Sequence, residues 1–365
     1  MSNLTTESKF AAEGKSSAAA AVDLRSDTFT RPTPAMRRAM AEAEVGDDVY
    51  GEDPSLNRLQ SYAAKLFERE AALFVPTGCM GNLISIMAWT RPTNEVICEE
   101  RGHVNLYELA SMSAIAGCFP RARFAPDGIL TWDLIEPLIR EKIYYDSQTA
   151  LICLENSHNM AGGTLYPTAL AEDICDCAHA TGLRVHLDGA RIFNASVALG
   201  ESVASMTRKF DSVMFCLSKG LGAPVGSMVV GSHEFIEKAR ISRKMLGGGM
   251  RQAGVLAAAG LVALEETPKI LHRDHHHARR LADALAKIPG IVVDPKKVVT
   301  NIVIFDVKAL NKTADQFVAD LERVGVLAQT TTGKYLVRFV THYDVDSAGI
   351  DRAIAALHTL VSSCI

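Results

Sequence analysis

The chain has 365 residues, a formal net charge of −4 and 48% hydrophobic residues. That balance is ordinary for a globular protein and excludes collagen-like, disordered and disulfide-scaffold classes. No apolar run reaches the roughly 18 residues of a membrane helix, no basic stripe favours nucleic acid, and the length suggests about two domains.

In chain order, residues 1–21 are rich in Ala, Ser, Thr and Lys and lack the apolar stretch of a signal peptide, so a disordered tail and a cytoplasmic protein are expected. A short arm over 22–34 follows. Apolar residues at helical spacing predict helices over 34–43 and 55–68. Short apolar runs then predict strands at 72–75, 95–98, 151–154, 184–187, 212–216 and 227–230. Helices are predicted between them at 78–89, 106–116 and 170–179. Strand–helix alternation of this kind means a mainly parallel sheet covered by helices on both faces. After Gly249 come helices over 250–264 and 269–287, strand-like runs at 300–307 and 335–340, and helices over 314–324 and 347–362. The reading is an α/β fold with a large domain over 35–265 and a smaller α+β domain over 266–365.

The eight cysteines lie mostly in apolar stretches and read as small core residues. Cys175 and Cys177 share a helix at i, i+2 and so point to different faces, which disfavours a metal pair. No His, Cys or Asp cluster has convincing ligand spacing, and no metal is expected. The triplet His275-His276-His277 is taken as a surface feature.

In doubly wound sheets a ligand binds beyond the carboxyl ends of the strands. Four such ends carry chemistry here. Pro76-Thr77-Gly78-Cys79 opens a helix with small residues, which suits an anion. Leu154-Glu155-Asn156-Ser157-His158-Asn159 is a polar cluster leaving an apolar strand. Asp188 ends a strand and is followed by Gly189-Ala190-Arg191; alone it could be a helix cap. Lys219, 31 residues later, sits among Ser218, Gly220 and Gly222. No phosphate-binding loop of the Walker type and no strict dinucleotide fingerprint is present. An anion cradle, an acid and a lysine on one sheet are together what pyridoxal phosphate requires: a phosphate site, a partner for the pyridinium nitrogen and an amine for the aldehyde.

Over residues 22–307 and again at 338–344 the sequence resembles the L-threonine aldolases, pyridoxal-phosphate enzymes of fold type I. The resemblance rests on the stretches Asp23-Leu24-Arg25-Ser26-Asp27-Thr28, Gly46-Asp47-Asp48-Val49-Tyr50-Gly51-Glu52-Asp53-Pro54 and Leu154 to Asn159. It rests equally on His186-Leu187-Asp188-Gly189-Ala190-Arg191, on Leu217 to Gly226 around Lys219, and on Arg243 to Gln252.

The resemblance implies a role for each matching residue. Lys219 would hold the cofactor aldehyde as a Schiff base, Asp188 would pair with the ring nitrogen, and Thr77, Gly78 and Cys79 would cradle the phosphate. His103 would stack on the ring and handle the substrate hydroxyl proton, tasks that suit a flat group titrating near neutrality. Arg191 would reach the cofactor's phenolic oxygen and the substrate. Ser26 and Arg338 would hold the substrate carboxylate, for which a guanidinium fork is well shaped. Tyr107 would stand near the substrate, and Tyr50 and Arg251 would serve the neighbouring subunit's site in a homotetramer, a dimer of dimers. The implied reaction is reversible cleavage of L-threonine, L-allo-threonine and related amino acids to glycine and an aldehyde. Another pyridoxal-phosphate reaction, such as alanine racemisation or β-elimination, and a non-catalytic homologue are the alternatives. Two departures stand out: Tyr145 falls where many members have a histidine, and Leu109-Ala110 follows Glu108 where the family often has a glycine pair.

Overall fold

The computed structural model describes residues 21–362. Residues 1–20 of the expected tail over 1–21, and Cys364, lie outside the described residues. The chain begins with the two-residue strand β1 (Val22–Asp23) and continues through β2 (Ala71–Val75), β3 (Glu95–Glu99), β4 (Phe119–Arg123), β5 (Thr149–Glu155), β6 (Arg184–Asp188), β7 (Ser212–Cys216) and β8 (Ser227–Gly231). Strands β2 to β8 form one sheet in the spatial order β2-β8-β7-β6-β5-β3-β4. β8 runs antiparallel to both of its neighbours and the other pairings are parallel, so six strands point the same way. Their carboxyl ends share one edge of the sheet, joined there by the amino end of β8.

β3, β7 and β8 are buried along their whole length, as expected of strands covered on both faces. The period-2 alternation of a strand divides the core. Leu73, Val75, Met214, Cys216 and Val229 pack with Phe235 and Ile236 of helix His233–Met245. Phe74, Val213, Phe215, Met228 and Val230 face the opposite way, with Leu59 of helix Pro54–Leu66 and Ala257 of helix Gly254–Glu266. The first of these helices starts where Asp53 accepts the Leu56 N–H and Pro54 supplies a preset φ.

Beyond helix Leu271–Leu285 the chain forms β9 (Ile302–Asp306), β10 (Val326–Leu327), β11 (Gln329–Thr330) and β12 (Leu336–Val340). β11, β12 and β9 make an antiparallel sheet, while β10 pairs in parallel with β1. Val22 and Leu24 are therefore buried with Phe305, Phe317 and Phe339 in a second core. Between the two cores runs the segment from Ser26 to Arg31. Thr30 donates its hydroxyl to the Lys219 carbonyl at 3.0 Å, and Arg31 donates its N–H to Asp344.

Three expectations need correction. The helix over 106–116 is two single turns, His103–Leu106 and Ser111–Ala114, because Leu109 and Ala110 both take positive φ at 51° and 54°. The helix over 250–264 begins only at Gly254, whose N–H is held by Asp53 at 2.7 Å. His275 is not a surface residue: it is half-buried, its ring 3.2 Å from the Asn194 amide, and burial lowers its pKa to about 4. Among the described residues, no helix is long and apolar enough to cross a membrane.

Candidate active site

At the edge where the strands end, a cavity of about 320 Å³ is lined by Thr77, Gly78, Cys79, His103, Asp188, Ser218 and Lys219, among others. They arrive from four strand ends, those of β2, β3, β6 and β7. β2 runs into Thr77, whose side chain caps helix Gly78–Trp89 by accepting the Met80 N–H. Gly81 N–H bonds the Thr77 carbonyl. The Gly78 and Cys79 N–H groups have no acceptor among the described residues, leaving two donors of the first turn at the cavity wall. The wall is tight: a Cβ on Gly78 would lie 3.0 Å from Cys216 Sγ, and one on Gly81 would lie 2.6 Å from Met214 Cγ.

Asp188 ends β6 and is buried. Its Oδ1 accepts the Ala190 N–H at 3.0 Å and its Oδ2 accepts the Asn82 amide at 2.9 Å. β7 leads into Lys219. β3 leads to His103, whose own N–H is held by Glu155 Oε2 at 2.7 Å and whose Nδ1 lies 2.8 Å from Glu108 Oε1. Burial alone would lower the His103 pKa, but the Glu108 hydrogen bond and the nearby Asp188 carboxylate outweigh it, and the net shift is upward. Burial raises Glu108 as well, against the opposing pull of His103 and Asn82. The donor atoms of Cys79, His103 and Glu108 all lie within 4.8 Å of one another. That proximity was not legible from their spacing in the sequence.

A second group sits beside this cavity, at the junction of the two cores. Arg191 is buried and forks onto the fully buried Asp27, with Nε to Oδ2 and Nη2 to Oδ1 both at 2.7 Å. Asn301 donates to the same Oδ2 at 3.2 Å. Burial would push the Asp27 carboxyl up, yet the Arg191 charge and its hydrogen bonds hold it far below the usual range. Ser26, next in the chain, is buried and accepts the Thr28 N–H. Arg338 donates to Asn159 Oδ1 at 2.8 Å and to Gln329 Oε1 at 2.9 Å, both neutral acceptors, and its buried Nε has no partner. Burial and the like charge of Arg191 lower its pKa.

The remaining expected residues do not line the cavity. Tyr107 is near the site: its ring is 5.7 Å from that of His103, and its hydroxyl meets Met160 Sδ. Tyr50 is 74% exposed, and Arg251 pairs with Asp47 Oδ2 at 2.9 Å. Tyr145 is 74% exposed and packs edge-on against Tyr144. None of these three lines the cavity. Sequence reasoning did not single out Asn82, Asp27, Glu108 or His186. Asn82 carried one signal, as a lone amide on the buried side of an otherwise apolar helix.

Comparison with known families decides the kinship: the beta-eliminating lyase family matches residues 23–309. The chain belongs to that family. Within it, the chain is 46% identical over 335 residues to a low-specificity L-threonine aldolase 1 of Arabidopsis thaliana, covering 90% of this chain and 93% of the relative. It is 40% identical over 325 residues to a low-specificity L-threonine aldolase of Escherichia coli K12, covering 89% and 94%. A solved threonine aldolase of Leishmania major superposes with a TM-score of 0.80 at 22% identity, covering 93% and 99%, and so shares the fold. The likeness to solved fold type I structures places this beta-eliminating lyase family member in that fold, and the family and its neighbours are pyridoxal-phosphate enzymes.

Proposed function

We propose that the protein cleaves L-threonine, L-allo-threonine and related L-β-hydroxy-α-amino acids to glycine and an aldehyde, reversibly and with pyridoxal phosphate. The observation that carries this reading is the single cavity shared by the Thr77-Gly78-Cys79 helix start, Asp188, Lys219 and His103. The donor set fits the cofactor. Two N–H groups at a helix N-terminus suit a phosphate, a buried carboxylate suits a ring nitrogen, and a lysine amine suits an aldehyde. When bound, pyridoxal phosphate supplies an electron sink for the pair released from the Cα–Cβ bond.

In this reading Lys219 would hold the cofactor aldehyde through Nζ. Asp188, fixed by Asn82 and Ala190, keeps the ring nitrogen protonated. His103 takes the β-hydroxyl proton on Nε2, because Nδ1 is engaged by Glu108. Arg338 receives the substrate carboxylate: Arg191 is already neutralised by Asp27, whereas the hydrogen-bond acceptors around Arg338 are neutral. Ser26 contributes a hydroxyl on the same side, and Arg191, held rigid by Asp27, orients the cofactor's phenolic edge.

The homotetramer, with Tyr50 and Arg251 completing a neighbour's site, is part of this reading. It is supported by the exposed apolar side chains Val49, Tyr50, Ile241 and Met245, on segments tied together by the Arg243–Asp48 pair. Division into a cofactor-binding unit over 35–265 and a smaller one over 266–365 is supported by the separate second core.

The test is incubation of the purified, cofactor-loaded protein with L-threonine, L-allo-threonine, L-phenylserine, L-serine and L-alanine. Aldehyde and glycine are expected from the β-hydroxy substrates; pyruvate or D-alanine in their place would overturn the reading. Lys219→Ala should lose both the visible cofactor absorption and the adduct trapped by borohydride.

A further inference from the structure

A buried chain of polar groups leads away from the cavity. Asn82 is fully buried in helix Gly78–Trp89, one turn beyond the cradle. Its Nδ2 lies 2.9 Å from Asp188 Oδ2 and 2.8 Å from Glu108 Oε1. Its Oδ1 lies 3.1 Å from His186 Nε2, and His186 Nδ1 lies 2.8 Å from Ser212 Oγ. Ser212 Oγ in turn receives the Trp89 indole N–H at 2.9 Å. None of His186, Ser212 and Trp89 lines the cavity.

The carboxylates fix every donor in this chain. A carboxylate only accepts, so the end of Asn82 that faces two of them must be its NH₂. Oδ1 is then an acceptor, and His186 must carry its hydrogen on Nε2. Burial lowers the His186 pKa to about 4, so the ring is neutral and Nδ1 is a lone pair. Ser212 must therefore donate to Nδ1 while accepting from Trp89. No member can turn round without leaving two donors or two acceptors face to face in a dry interior, which is costly.

We infer that Asn82 is a positioning residue that clamps the Asp188 and Glu108 carboxylates with one amide, oriented from behind by His186, Ser212 and Trp89. The inference rests on the cofactor site proposed above. It joins the group that faces the ring nitrogen to the group that backs His103, so the two ends of the site are held in one register. The charged and titratable groups facing Glu108 are His103 on its own segment and Asp188 from β6, with Cys79 at the helix start and Cys153 from β5 also close. Lys219 stands close to His103. Removing the amide donor leaves two buried carboxylates close together with nothing between them, which disfavours their joint ionisation.

The decisive variant is Asn82→Asp, which keeps the shape and removes both donors. In the holoenzyme kcat is expected to fall at least about tenfold with KM changed less than about twofold, the pattern of a lost transition-state interaction. The acid limb of kcat/KM, set by His103, should move to higher pH by about one unit, since a Glu108 carboxylate without the Asn82 donor holds the His103 proton more strongly. Asn82→Ala should do the same. A role in packing alone predicts the opposite order, with Asn82→Asp close to the parent and Asn82→Ala impaired through a cavity.

Two measurements stand even where a charge at residue 82 prevents folding. In protein labelled with ¹⁵N-histidine, His186 should show the neutral Nε2–H form throughout pH 6–8; an Nδ1–H form would overturn the inference. Ser212→Ala should keep the Nε2–H tautomer, which Asn82 fixes, and shift the acid limb in the same direction by a smaller amount. A parent-like profile in Ser212→Ala and Asn82→Asp would also overturn it. Failure of the cofactor reading is separate: the parent itself would then show no visible cofactor absorption, whereas the His186 tautomer can be read without cofactor.

Discussion

The pair between Asp27 and Arg191 offers the sharpest energetic test. Asp27 is fully buried and Arg191 nearly so, and all the Asp27 acceptor capacity is committed. Oδ1 takes Arg191 Nη2 and, at 3.5 Å, the Ser26 hydroxyl, and Oδ2 takes both Arg191 Nε and Asn301 Nδ2. Asp27→Asn removes the charge and substitutes an NH₂ for one oxygen. Whichever way the amide is turned, it presents a donor to an Arg191 donor. Leaving one member of a buried ion pair uncompensated costs about 3–5 kcal/mol. For a chain of 365 residues, with about 2.1 cal/mol/K of unfolding entropy per residue, that corresponds to a fall in Tm of roughly 4–7 °C.

The pH dependence has a definite sign. The Asp27 carboxyl is depressed in the folded state, so its stabilisation is fully present above the unfolded value near pH 4 and fades only as pH falls below it. The gap in Tm between parent and variant, measured by differential scanning calorimetry on the cofactor-free proteins, should be flat from pH 6 to 8. It should narrow below about pH 4. A gap under about 2 °C at pH 7, or one that widens in acid, would refute the reasoning.

Three other outcomes are expected. Glu108→Gln removes the interaction that outweighs burial at His103, so the His103 titration followed by NMR should drop below its parent midpoint; an unchanged midpoint would deny the pairing. Cys79 is exposed, but burial of its thiol and the nearby carboxylates raise its pKa from 9.0 to about 11. Its alkylation by iodoacetamide at pH 7.5 should therefore be about a hundredfold slower than that of an unperturbed thiol, and rapid labelling would contradict this. Leu109 takes a φ of 51° while 93% exposed, so Leu109→Gly should relieve left-handed strain. That relief exceeds the extra chain entropy of glycine by up to about 1 kcal/mol, and a lower Tm would show that the leucine side chain makes contacts that matter.

Much of this architecture was legible because its strands are buried on both faces and read as unbroken apolar runs. β7 was delimited to the residue, and helix Gly78–Trp89 likewise. β4 was not, because it is an exposed edge strand whose Phe119-Pro120-Arg121 reads as a loop. The break at Leu109 was hidden because nothing in leucine or alanine announces positive φ; the family's glycine pair at that place was the one hint. Lys219, Asp188 and Thr77 stood out as polar groups where apolar strands stop. Asn82 and Asp27 act through partners 26 to 274 residues away, and no local pattern encodes such distances. His275 was misread because charged neighbours on its helix suggested a solvated face, while one side of the turn is covered by Asn194.

The pairing of Val22 with Val326 also sets an order of events during synthesis. These partners are 304 residues apart, and the Leu24 carbonyl is met by the Val340 N–H, later still. At 5–20 residues per second the ribosome needs roughly 15–60 s to make that interval. Throughout it Ser26, Asp27 and the Arg191 fork lack the strands that lock them in place. The sheet and its lysine can be folded and waiting, while the segment that neutralises Arg191 and braces the Lys219 loop, though made first, is locked in place only when the last strands arrive. A nascent chain halted before β12 would accordingly be a folded sheet with an unfinished site.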